Sequence, residues 1–110
     1  MKKILLFLSS IIILYADSTD ECIDFGNNGF LLRVDNKIIN LTIAKNYVLI
    51  NNKYKAYYKG EVNDGICNSP TDVYQNKSYT YRINQCQTAD RYFINISNIY
   101  GLNSNIECSW

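Results

Sequence analysis

The side chains able to do chemistry in this chain are few, and their types limit what it can catalyse. There are four cysteines, Cys22, Cys67, Cys86 and Cys108, and no histidine. Without an imidazole the commonest general base and metal ligand is missing, and Ser–His or Cys–His nucleophilic pairs are excluded. A cysteine nucleophile needs a free thiolate, whereas an even cysteine count in a small exported domain reads as disulfides. Four cysteines allow three pairings, and the sequence does not choose among them. Zinc is the competing use. The closest pair, Cys67 and Cys86, is nineteen positions apart, while structural zinc ligands come in short-spaced pairs. The sequence therefore predicts two disulfides, no metal and no cofactor.

Carboxylates are what remain for acid–base work. Glu61 with Asp64, or either with Asp72, would be the pair to flank a glycosidic bond, although acidic residues in a surface loop are more often simply solvated. "GNNG", residues 26–29, is a turn signal and not a phosphate loop, because no helix pattern follows it. The other stretch with chemical interest is "KYKAYYKG", residues 53–60. If Tyr54, Ala56 and Tyr58 face a core, Tyr57 stands outside among Lys53, Lys55 and Lys59. A tyrosine framed by lysines can stack on a sugar or hold a carboxylate-bearing partner. The same lysines would equally protect an edge strand from unwanted pairing. Lys53, Lys55, Tyr57 and Lys59 are the binding residues the sequence nominates, with the stretch 63–77 as a second surface.

The elements that would position these residues read as strands. In "GFLLRVDNKIINLTIAK", Phe30, Leu32 and Val34 alternate with Leu31 and Arg33; Ile39, Leu41 and Ile43 then alternate with Asn40 and Thr42. Asp35, Asn36 and Lys37 between them form a hairpin signal. Val48 and Ile50, a turn at Asn51 and Asn52, and Tyr54, Ala56 and Tyr58 repeat the pattern. Tyr79, Tyr81 and Ile83, a loop over 85–90, and Tyr92, Ile94 and Ile96 give a third pair. A helix over residues 41–50 competes weakly, against β-branched content and adjacent turns. The stretch 63–77 reads as a long loop held by Cys67. Period-2 alternation rich in aromatic and β-branched residues predicts an all-β domain, with α+β the lesser option. Its form would be a small antiparallel β-sandwich or barrel of five to six strands stapled by two disulfides.

The N-terminus sets the compartment. Lys2 and Lys3 precede an apolar run over residues 4–14, Ala16 follows, and the polar "DSTDE" comes at once. That order predicts a signal peptide over residues 1–16 and one exported domain over 17–110. The apolar run is roughly half the ~20 residues a membrane span needs, so no span is expected after cleavage. Cys22 lies too far past the apolar core for a lipid anchor. Composition and signal have a bacterial character, which implies the periplasm or secretion. On the same ground the tripeptides at Asn40, Asn76 and Asn95, which match the N-glycosylation pattern, carry no weight.

Without Lys2 and Lys3 the balance is nine basic to ten acidic residues, which argues against nucleic acid or an anionic membrane surface as bulk partner. The expected function is a non-enzymatic binding or inhibitory module for a protein or glycan partner. The alternatives are a carboxylate-dependent hydrolase of cell-wall glycan and a structural surface component built by pairing Tyr-rich edge strands.

Overall fold

The computed structural model describes residues 20–26, 28–86 and 91–109; the predicted signal segment, 1–16, lies outside them. The described residues form nine strands: β1 (Glu21–Phe25), β2 (Gly29–Val34), β3 (Lys37–Ile43), β4 (Tyr47–Ile50), β5 (Tyr54–Val62), β6 (Thr71–Gln75), β7 (Tyr79–Gln85), β8 (Arg91–Asn98) and β9 (Asn103–Ser109). Each pairs antiparallel with the next, so the sheet runs β1 to β9 in chain order. β9 curls round to lie beside β1. The result is a nearly closed up-and-down barrel. Among the described residues no helix is long and apolar enough to cross a membrane.

The all-β class and the barrel option hold, but nine strands replace the five to six expected. The six legible strands are β2, β3, β4, β5, β7 and β8. β6 lies inside the stretch 63–77 and shortens the loop to residues 63–70. Residues 41–50, where a helix competed, form the end of β3, a turn and β4.

Alternation places one face of every long strand in a common core. Leu32, Leu41, Val48, Ala56, Ile96 and Cys108 are completely buried, and Ile94 nearly so. Each Leu, Ile or Val in that core stabilises the fold by roughly 1.5–3 kcal/mol over its exposed state. The turns fit their residues. Asp35 and Asn36 have φ of 53° and 65° between the paired Val34 and Lys37, which is the two-residue hairpin in which both centres are left-handed. Asn51 and Asn52 are likewise left-handed, at φ 54° and 57°, in the three-residue turn between the paired Ile50 and Tyr54. Asparagine tolerates that region better than most residues.

Closure rests on side chains. Cys22 of β1 bonds to Cys108 of β9, and Ser104 of β9 donates to the Asp20 carboxylate just ahead of β1. A second disulfide, Cys67–Cys86, lays the 63–70 loop over the outer face of β6 and β7. There Asn84, 1 % exposed, donates to the Ser69 carbonyl at 3.0 Å and to Thr71 Oγ1 at 2.9 Å. Thr71 Oγ1 in turn donates to Asp64 Oδ2 at 2.8 Å.

The bridges close loops of 86 and 19 residues' separation. On chain entropy the Cys22→Ala/Cys108→Ala pair should lose roughly 4–5 kcal/mol of stability and Cys67→Ala/Cys86→Ala roughly 3 kcal/mol. Urea denaturation of both variants measures this, and an equal loss in the two would contradict it.

Candidate functional site

Register fixes which face each residue of β4 and β5 presents. Val48 pairs with Ala56, both completely buried, so their neighbours Tyr47, Leu49, Lys55 and Tyr57 point outward. Tyr47 lies opposite Tyr57, with ring centroids 6.2 Å apart. The Lys55 ammonium sits 4.6 Å from the Tyr47 ring centroid. Tyr57 is 53 % exposed. Lys53 lies in the β4–β5 turn with its ammonium 5.2 Å from the Tyr54 ring centroid. A cation over an aromatic face gains electrostatically while its chain covers the ring.

Of the four nominated residues, Lys55 and Tyr57 thus share one outer patch with Tyr47, and Lys53 stands beside it at the turn. Lys59 is set apart. It occupies the irregularity between Tyr58 and Gly60 where the β5–β6 register shifts. Gly60 has φ 121° there, a conformation open to glycine and strained for other residues. Tyr47 is the patch member that sequence reasoning missed, although its place two residues before Leu49 put it on the outward row of β4.

β5 is not an edge strand. β4 pairs along Tyr54–Tyr57 and β6 along Tyr57–Val62. Where β6 does not reach, Asn76 Nδ2 donates to the Lys55 carbonyl at 3.3 Å. Asn76 Oδ1 accepts from the Ser78 and Tyr79 amides at 3.1 and 2.9 Å. One asparagine therefore fixes the β6–β7 turn against β5.

The carboxylates are distributed differently. Asp64 is occupied with Thr71 and with the Ile66 amide at 3.2 Å. Glu61 and Asp72 are cross-strand partners on β5 and β6 and line a shallow recess beside Pro70 and Cys86. Tyr58 donates to Asp72 Oδ1 at 3.3 Å. Partial loss of water, then the negative charges of Asp72 and Glu61, raise the Tyr58 phenol above its ordinary pKa. All four cysteines are in disulfides, and among the described residues no group of Cys, Asp and Glu side chains gathers to hold a metal ion.

Compared with protein-family models, with curated proteins and with solved structures, the chain matches none.

Tyrosine ionisation offers a test of this packing. Burial, and then the neighbouring Tyr79, push Tyr81 up to about 12, against about 10 in an unfolded chain. The unfolded state releases that proton first, so its contribution is intact below pH 10 and stability falls as pH rises from about 10 to about 12. Tyrosinate absorbance should show a late-titrating group that disappears in Tyr81→Phe. A single transition near pH 10 in the folded protein would contradict the packing.

Proposed function

We propose that this protein is a non-enzymatic binding module, exported to the periplasm or beyond, that takes a negatively charged glycan or protein surface on the outer face of β4 and β5. The observation that carries the reading is the exposed Tyr57 beside Tyr47, with the Lys55 ammonium over the Tyr47 ring. The Tyr57 ring offers a flat face for a sugar or an apolar side chain, and Lys53 and Lys55 supply charge for a carboxylate. β5 pairs with β4 over Tyr54–Tyr57 and with β6 over Tyr57–Val62, and Asn76 takes up the Lys55 carbonyl, so there is no long free edge for these lysines to protect. Two disulfides fit an oxidising compartment.

One observation favours a second reading. Glu61 and Asp72, brought side by side with the Tyr58 hydroxyl, are the pair a wall-glycan hydrolase would use. The structural-component reading loses support, since the sheet's two free edges face each other across the Cys22–Cys108 bridge.

Retention of the folded, oxidised protein on carboxylated and sulfated polysaccharide columns tests the first reading. Lys53→Glu/Lys55→Glu should abolish retention and Tyr57→Ala should weaken it, with circular dichroism unchanged in both. Retention equal to wild type in both variants would sink the reading. Turnover of a cell-wall preparation by wild type, lost in Glu61→Gln, would install the hydrolase in its place.

A further inference from the structure

The barrel is not filled from end to end. At the end that carries the β2–β3, β4–β5 and β6–β7 turns, its lumen opens into a cavity of about 560 Å³. Ile39, Ile50, Tyr79 and Tyr81 make up much of its wall, and Lys37 and Lys77 stand at its margin. Lys37 pairs with Val34, which is buried, so it heads the inward row that continues through Ile39 and Leu41. The Tyr79 and Tyr81 rings stack at 5.9 Å along one side.

Three observations separate this space from a packing gap. Its volume falls in the roughly 300–1,000 Å³ range of small-molecule sites, whereas ordinary cores hold few voids larger than a water molecule. Lys37 and Lys77 have no counter-charge among the described residues. No Asp or Glu lines the cavity, and the ion pairs among the described residues are Arg33 with Glu21 and Arg91 with Glu107. The exposed lining, finally, is mainly apolar, as the lining of small-molecule sites is.

We propose that the lumen binds a single-chain anionic amphiphile, its alkyl chain against Ile39, Ile50 and Tyr79 and its carboxylate or phosphate between Lys37 and Lys77. The apolar wall supplies affinity by covering the chain, and the two ammonium groups fix which end stays outside. A cationic head would meet repulsion at the same margin. This site lies inside the barrel; Lys55 of the outer β4–β5 patch also borders it, whereas Tyr57 does not.

Titration calorimetry on the folded, oxidised protein tests it, with dodecanoate and dodecyl phosphate below their micelle concentrations and dodecyltrimethylammonium as the cationic control. Both anions should bind saturably at one per chain, and decanoate should bind about tenfold more weakly than dodecanoate, as expected for two fewer buried methylenes. The tighter of the two anions identifies whether a fatty acid or a phosphoryl lipid is the better source. Lys37→Glu/Lys77→Glu should weaken dodecanoate at least about tenfold while improving dodecyltrimethylammonium, a reversal that a merely unfolded variant would not give. Ile39→Trp, which fills the lumen, should weaken all three. Tyr57→Ala, which tests the outer patch at a residue that does not line the cavity, should leave dodecanoate binding unchanged, so the two sites fail separately. No saturable binding of either anion, or equal dodecanoate affinity in wild type and Lys37→Glu/Lys77→Glu, would overturn the proposal.

Discussion

The bond between Cys22 and Cys108 joins the first strand to the last, and the rest of the molecule depends on that join. A meander of nine strands has two open edges, each with a row of unpaired backbone groups that invite association. Curling the sheet brings those edges together, and the disulfide, helped by the Asp20–Ser104 hydrogen bond, holds them there. A domain this small has only a modest core with which to resist opening. Covalent closure offsets that weakness, and it also gives the sheet an inside. Without closure, the buried rows of β2 to β9 would be one apolar face of an open sheet and not the wall of a lumen.

Closure also gives the molecule two unlike ends. β6 runs from the acidic recess, where Asp72 faces Glu61, to the lysine-margined mouth, where Gln75 leads into the turn bearing Lys77. At the first end the 63–70 loop is tied down by Cys67–Cys86 and by Asn84. At the second, short turns and the Asn76 clamp leave the lumen uncovered. Near-neutral net charge thus hides a local separation of charge, and it is the separation that bears on binding. The outer Tyr47–Tyr57 patch sits on the wall between these ends, positioned by a strand paired on both sides.

Much of this architecture was legible in the sequence, for a physical reason that also explains what was missed. Strands β2, β3, β4, β5, β7 and β8 bury aliphatic or aromatic residues at every second position, so their alternation stands out. β9 buries Ser104, Ile106 and Cys108, and a single aliphatic residue makes no visible period. β6 carries Asp72 inside a Pro-led polar stretch, and β1 carries Glu21 and Asp24, so both look like loop. Their strand character comes from neighbours already in place. The outward Lys55 and Tyr57 followed from local alternation. The lumen did not, because Lys37, Ile50 and Tyr81 lie on different strands and Lys77 on a turn, and they meet only after the sheet has curled. The asparagines also carry structural roles that alternation does not reveal. Asn36, Asn51, Asn52 and Asn68 take left-handed turns, and Asn76, Asn84 and Asn98 satisfy loop and turn backbone.

The most direct test of the account is disulfide mapping of the native, unreduced protein by mass spectrometry after proteolysis. The closed barrel requires a peptide containing Cys22 linked to one containing Cys108, and Cys67 linked to Cys86. Cys22 joined to Cys67 or Cys86, or free thiols at the two terminal strands, would contradict closure, and with it the lumen and the two unlike ends.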